Sequence, residues 1–257
     1  KNKPSIVINA AGKVGGILDN SLNKDKYLYI NSMIGLNLVK SCHENNIEKF
    51  INLGSACIYP KNSSQPISES ALLTSSLEQT NEGYALAKIL ILKYCEYLNK
   101  KFKRKYITLQ PANLYGEGDN FDLQKSHVLP ALIKKFHIAK IKRFNEVEVW
   151  GTGKAEREFL HVNDLSKAVL FCLKKNILDT CVNVSGPDII KIKTLCALIK
   201  KITGFKGKII FNNNYPDGVL KRRLSNKVLK KYGWSAKVKL NSTKGLISYY
   251  NYFSITL

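Results

Sequence analysis

Short runs rich in Ile and Val recur along this chain, each separated from the next by a longer stretch with apolar residues at helical spacing. A strand buried on both faces reads as a continuous apolar run, and joining two parallel strands takes a crossover of a dozen or more residues. The alternation therefore restricts the chain to an α/β architecture, a parallel sheet covered by helices on both faces. The pattern predicts strands at 5–10, 49–53, 106–110, 146–150, 182–185 and 208–211. It predicts helices at 31–44, 83–100, 127–139, 163–173, 192–202 and 240–252. Beyond about Leu114 the strands shorten and irregular loops intrude, at 116–125 and 212–223. Loops of that kind usually carry the ligand site.

The formal net charge is +22, from 41 Lys plus Arg against 19 Asp plus Glu, which invites a nucleic-acid or anionic-membrane reading. The distribution argues against both. Lysines are spread over nearly every segment, no basic stripe alternates with stacking aromatics, and the densest clusters are as short as Lys221-Arg222-Arg223. Lysine on solvated faces is the preferred reading, with neither nucleic acid nor membrane as a partner. No apolar run approaches the roughly 18 residues needed to span a bilayer. Six cysteines, mostly inside apolar runs and without C-x-x-C or metal-ligand spacing, fit a reduced, cytoplasmic protein that holds no metal.

In open α/β sheets, ligands bind outside the carboxyl ends of the strands. Four places there carry chemistry. After the first strand comes Ala10-Ala11-Gly12-Lys13-Val14-Gly15-Gly16, small enough for close backbone approach but matching neither a P-loop nor G-x-G-x-x-G. After the second comes Gly54-Ser55-Ala56-Cys57, a hydroxyl and a thiol two residues apart. Taken singly, each is better read as structural, Ser55 as a turn residue and Cys57 as a small core residue.

At the start of an apolar helix, Gly83-Tyr84-Ala85-Leu86-Ala87-Lys88 sets Tyr84 and Lys88 on one face at i, i+4. An ammonium near a phenol favours the phenolate, so Lys88 is expected to lower the pKa of Tyr84. Tyr97 and Lys101 repeat the spacing; the small neighbours Gly83, Ala85 and Ala87 single out Tyr84 by leaving room for a cofactor. Finally, Pro111-Ala112-Asn113-Leu114 leaves a strand, and His127 opens a helix where an imidazole can serve as acid or base.

Together, Ser55, Tyr84 and Lys88 resemble the catalytic triad of the extended short-chain dehydrogenase/reductases. The strings AAGKVGGI, GSACIYPK, TNEGYALAK, PANLYG, DNFD, SHVLPALIKKF, VEVWGTGKAEREFLHVND and YPDG resemble, in order and across essentially the whole chain, the GDP-L-fucose synthase branch of that family. The resemblance implies a Rossmann-type doubly wound sheet, with residues 1–114 as the remainder of the NADP-binding domain. It implies a smaller α/β substrate-binding region at 115–257, some segments of which return to the first domain.

It further implies conversion of GDP-4-keto-6-deoxy-D-mannose to GDP-L-fucose by epimerisation at C3 and C5 and reduction at C4, with NADP(H) as cofactor and a homodimer as assembly. On that reading Cys57 is the base and His127 the acid of the epimerisations. Ser55 bonds the ketone, Tyr84 donates the proton that accompanies hydride, and Lys88 holds the nicotinamide ribose. Cofactor contacts fall at Leu53, Gly54, Ser55, Ala56, Lys88, Pro111, Ala112, Asn113, Leu114 and His127. Substrate contacts fall at Lys135, Trp150, Arg157 and Asp217.

Two departures stand out: Ala56 where the family commonly has a second hydroxyl, and Lys135 where it commonly has Arg. The family's first strand, its pyrophosphate turn and its 2′-phosphate-selecting basic residue have no counterpart in this sequence, so preference for NADPH comes from the resemblance alone. The strand at 5–10 is then expected to present an apolar edge, and the chain as given to be unstable or inactive. A soluble, monodisperse preparation that melts cooperatively contradicts that expectation. The rival readings are a sugar-nucleotide 4-epimerase or 4,6-dehydratase, against which Cys57 and His127 speak, and a non-catalytic dinucleotide-sensing or partner-binding module, against which the intact Tyr84 and Lys88 speak.

Overall fold

The computed structural model describes residues 4–123, 125–215 and 217–256. Pro216 of the Tyr-Pro-Asp-Gly string lies outside the described residues.

Among the described residues, ten strands and eight helices follow one another. The strands are β1 (Ile6–Asn9), β2 (Lys49–Leu53), β3 (Lys105–Pro111), β4 (Asn113–Tyr115), β5 (Glu146–Trp150), β6 (Glu156–His161), β7 (Cys181–Val184), β8 (Asp188–Lys191), β9 (Lys208–Asn212) and β10 (Lys221–Arg222). The helices are α1 (Ile17–Leu22), α2 (Lys24–Glu44), α3 (Glu82–Phe102), α4 (Val128–Ile141), α5 (Val162–Lys174), α6 (Ile192–Thr203), α7 (Lys227–Lys231) and α8 (Ser248–Thr256).

A parallel sheet runs in the order β1-β2-β3-β7. Successive residues of a strand face opposite sides, and here both sides are covered. Phe50 and Tyr106 pack with Val39 and Cys42 of α2 and with Ile91 and Cys95 of α3. Ile51, Ile107 and Leu109 pack with Leu165, Ala168 and Val169 of α5. That is the doubly wound arrangement which the continuous apolar runs predict. At the carboxyl end of the sheet, Asn9 donates to Asn52 across the β1–β2 pair at 2.8 Å. β1 is the outer strand, with Ile6 and Ile8 exposed at 41% and 46%, as the apolar run at 5–10 leads one to expect.

A second sheet runs β10-β6-β4 in parallel, with β8 antiparallel to β6, and β5 pairs with β9 in a third. Around these lies a separate apolar cluster that includes Phe136 of α4, Leu195 and Ile199 of α6, and Phe253 of α8.

Several elements differ from the sequence expectation. The helix predicted at 31–44 begins at Lys24, because Tyr27 is fully buried against the turn before it and draws a polar stretch into the helix. The helix predicted at 240–252 starts at Ser248: the backbone departs from helical angles at Gly245, where a Cβ would meet the Lys239 and Leu240 carbonyls. β4, β6, β8, β10, α1 and α7 carry no periodicity strong enough to be read from the chain.

Gly83, expected to leave room for a cofactor, instead admits a neighbouring helix. A Cβ there would lie 2.3 Å from the backbone oxygen of Lys24, where α2 crosses α3. Ala85 and Ala87 likewise are fully buried in the packed side of α3. Gly83→Ala is therefore expected to destabilise the protein. Alanine is favoured in a helix by about 1 kcal/mol, but overpacking against fixed backbone costs about 1–3 kcal/mol. The urea midpoint should fall, and a rise would show that α2 moves aside freely.

Candidate active site

The turn after β2 and the start of α3 bring together what the sequence singled out. Leu53 ends β2, and Gly54 has no side chain because that of Gln110 folds across it; a Cβ would sit 2.1 Å from the Gln110 amide oxygen. The same oxygen accepts from the Ser55 amide at 2.8 Å, fixing the turn. Ser55 then caps the short 3₁₀ turn Ala56–Ile58, its Oγ accepting from the Cys57 amide at 3.2 Å.

From α3, Tyr84 comes near the Ser55 hydroxyl and the Cys57 thiol, both of which act on its pKa. Lys88 lies one turn on, its Nζ 5.5 Å from the Tyr84 ring centroid and donating to the Leu53 carbonyl at 2.8 Å. Ser55, Cys57, Tyr84 and Lys88 thus form one connected cluster.

The electrostatics run against one expectation. Burial raises the Tyr84 hydroxyl, and the Cys57 thiol adds to that rise, while the Ser55 hydroxyl pulls the other way. The phenol is therefore held protonated, as a proton donor must be. Lys88 instead bears the effect of burial itself: it is 5% exposed and lowered to about 8. Between pH 8 and the ordinary 10.5 of a lysine, the unfolded chain binds more protons than the folded one at this residue, so stability there rises with pH. The parent is expected to gain in urea resistance over Lys88→Met across that window. A constant difference would mean that the Lys88 ammonium titrates normally.

An ammonium carries three donors, and among the described residues Lys88 spends one, on Leu53. A buried cation with donors to spare suits the hydroxyls of a cofactor ribose. The glycine-containing segment after β1 is held beside it by Asn31 of α2, which accepts from the Lys13 amide at 2.9 Å and donates to the Lys13 carbonyl at 3.1 Å. Asn31 has no apolar or motif signal in the sequence. Pro111 and Ala112 are buried at the end of β3, Leu114 is half-buried in β4, and the exposed Asn113 donates to the Glu158 carbonyl at 2.9 Å. Ala56 packs half-buried against the apolar cluster that holds Ile58.

His127 is the N-cap of α4, yet its side chain makes no capping bond. The protein around the imidazole lowers its pKa, and Asp119 opposes that. No hydrogen bond joins His127 to Cys57 or Tyr84 among the described residues.

The residues expected to hold substrate meet on the other sheets. Lys135 lies 4.9 Å from the Trp150 ring centroid and donates to the Glu148 carbonyl at 3.2 Å. Trp150 stacks on Tyr215 with centroids 4.4 Å apart. The Asp217 carboxylate is taken by Thr152, accepting from its amide at 2.8 Å and its hydroxyl at 2.6 Å, so it fixes a turn. Arg157 donates to the carbonyls of Asp217 at 2.8 Å and Val219 at 2.6 Å.

Arg222, from the basic triplet that composition reads as solvated surface, stands opposite Arg157 in the β6–β10 register. Its Nε and Nη2 are buried without a hydrogen-bond partner among the described residues. Burial and then the Arg222 charge lower the Arg157 pKa. Two neighbouring arginines, of which Arg222 keeps unspent donors, suit an anion of phosphate type. The triplet itself was the only available sequence signal.

A model of the NAD dependent epimerase/dehydratase family matches residues 1–184. A GDP-L-fucose synthase from Sinorhizobium fredii (strain NBRC 101917 / NGR234) is 43% identical over 240 residues, covering 93% of this chain and 76% of that protein. A GDP-L-colitose synthase from Yersinia pseudotuberculosis is 41% identical over 243 residues, covering 94% of this chain and 79% of that protein. Among solved structures, MlghC, a GDP-mannoheptose C4 reductase from Campylobacter jejuni with NADP bound, matches at 29% identity and a TM-score of 0.85, covering 98% of this chain and 83% of that one.

Proposed function

Since the chain belongs to the NAD dependent epimerase/dehydratase family, within its GDP-L-fucose synthase branch, we propose that it converts GDP-4-keto-6-deoxy-D-mannose to GDP-L-fucose with NADPH. The observation that carries this reading is the Ser55, Tyr84 and Lys88 cluster with the Cys57 thiol in the same turn. Three of these groups serve ketone reduction, and the fourth is the added base that epimerisation needs.

The C4 ketone makes the protons on C3 and C5 removable. Cys57 Sγ takes such a proton, the electron pair passes into the enolate, and a proton from His127 returns to the opposite face of the carbon. Ser55 then holds the ketone oxygen while Tyr84 gives it a proton as the carbon is reduced. NADPH supplies the hydride when bound. Lys88 holds the cofactor ribose, with further cofactor contacts from Leu53 to Ala56, from Pro111 to Leu114 and from His127. The diphosphate sits on Arg157 and Arg222, the rest of the nucleotide lies against Lys135 and Trp150, and Asp217 holds the loop that frames it. Residues 1–114 form the cofactor domain and 115–257 mainly the substrate region.

The reaction takes place in the cytoplasm, consistent with six free cysteines, and no described helix is long and apolar enough to cross a membrane. The outward residues of α2 and α3, including Tyr29, Met33, Leu86, Leu90 and Tyr97, are 41–68% exposed and are the faces that a homodimer would bury.

The deciding experiment supplies GDP-4-keto-6-deoxy-D-mannose and NADPH, follows cofactor oxidation and identifies the sugar. GDP-L-fucose supports the proposal. NADPH left untouched while sugar epimers interconvert makes the protein an epimerase, and turnover only with the precursor of GDP-L-colitose moves it to that relative's reaction.

A further inference from the structure

Resting on the reading of Cys57 as the epimerisation base, a question follows about what keeps its sulfur reactive, because only a thiolate accepts a proton from carbon. Among the described residues, no hydrogen bond joins Cys57 Sγ to a Lys, Arg or His side chain. The Cys57 amide is spent on Ser55 Oγ, and Tyr84, the titratable group coupled to it, is held neutral.

The side chain that reaches the sulfur is Asn81, which closes the 3₁₀ turn Gln79–Asn81 and stands at the N-cap of α3. An asparagine at that position ordinarily turns its oxygen to the first free amides of the helix. Here it makes no capping bond, and its Nδ2 donates to Cys57 Sγ at 3.2 Å. Its Oδ1 is buried and has no hydrogen-bond partner among the described residues. The helix thus goes without its cap, and one buried carbonyl oxygen stands unused beside the catalytic turn.

We propose that Asn81 is a positioning residue for epimerisation: its amide N–H, donating to Cys57 Sγ at 3.2 Å, holds the sulfur in place as the group that takes the proton from carbon. A neutral donor suits this task better than a cation would. A cation lowers a thiolate's basicity along with its pKa, whereas a neutral amide donor perturbs it less.

The test uses the full chain with Asn81→Leu, which removes the donor and keeps the branching at Cγ, and Asn81→Asp, which keeps the shape and replaces the donor with an anion. Alkylation of Cys57 by iodoacetamide at neutral pH, followed on its own peptide by mass spectrometry, is expected to slow about tenfold in Asn81→Leu and further in Asn81→Asp, as the loss of one hydrogen bond to a charged group implies. Deuterium uptake from solvent into GDP-4-keto-6-deoxy-D-mannose, with NADP+ present so that no reduction occurs, is expected to fall in parallel, while NADPH binding stays at the parental affinity.

Alkylation and exchange that are unchanged overturn the inference. So does faster alkylation, which would mean that the amide presents its oxygen to a thiol S–H. Cys57→Ala separates the two layers of argument. If that variant still exchanges deuterium at the parental rate, the reading of Cys57 falls. If it loses exchange while Asn81→Leu keeps it, the role of Asn81 alone falls.

Discussion

Tyr84→Phe should lower NADPH oxidation with GDP-4-keto-6-deoxy-D-mannose by about 10²- to 10⁴-fold, the range by which a positioned general acid accelerates a reaction. The substitution removes one hydroxyl and little else. The ring keeps its edge contact with Tyr27, 6.3 Å between centroids, so the start of α3 should hold its place. What is lost is the proton that must reach the ketone oxygen as the carbon is reduced. Cofactor affinity should stay near the parental value, since Lys88 and the Leu53 carbonyl are untouched. A Tyr84→Phe protein that binds NADPH normally and turns over at the parental rate would remove Tyr84 from the chemistry.

Cys57→Ser is expected to divide the reaction in two. A serine hydroxyl is close to a thiol in size but gives up its proton far less readily, so it makes a poor base at neutral pH. Deuterium uptake at C3 and C5 should fall by about 10²- to 10⁴-fold. The reducing groups, Ser55, Tyr84 and Lys88, remain in place, so NADPH should still be consumed at a measurable rate, and NMR of the product should show an alcohol at C4 without inversion at C3 and C5. If both exchange and reduction stop together, Cys57 supports the architecture of the turn rather than the proton transfer. If neither changes, the base lies elsewhere.

How much of this was readable beforehand depends on how local each signal was. The strands at Lys49–Leu53 and Glu146–Trp150 were legible residue for residue, because runs of Ile, Val and Phe or strict alternation mark them within the segment itself. β6, whose sequence is Glu-Arg-Glu-Phe-Leu-His, was not legible. Its strand character comes from β4, β10 and β8, which pair with it from distant parts of the chain. Tyr84 and Lys88 were legible because a helix places i and i+4 on one face. Asn31, Asn81 and Arg222 were not, since an asparagine before a helix or an arginine in a basic triplet has an ordinary reading that only its neighbours in space revise.

Sequence alone determined the α/β class, the carboxyl ends of the strands as the place for chemistry, and the residue types available there, because the alternation of strand-like and helix-like periodicity follows from short-range patterns of burial. Tertiary structure alone decided what those residues became. It gave Gly83 to helix packing, holds Tyr84 protonated where the spacing implied the opposite, commits the Asp217 carboxylate to Thr152, and sets two arginines against each other. Each of these depends on how much water is removed from a group and which distant atoms replace it, quantities that exist only once the chain has folded back upon itself.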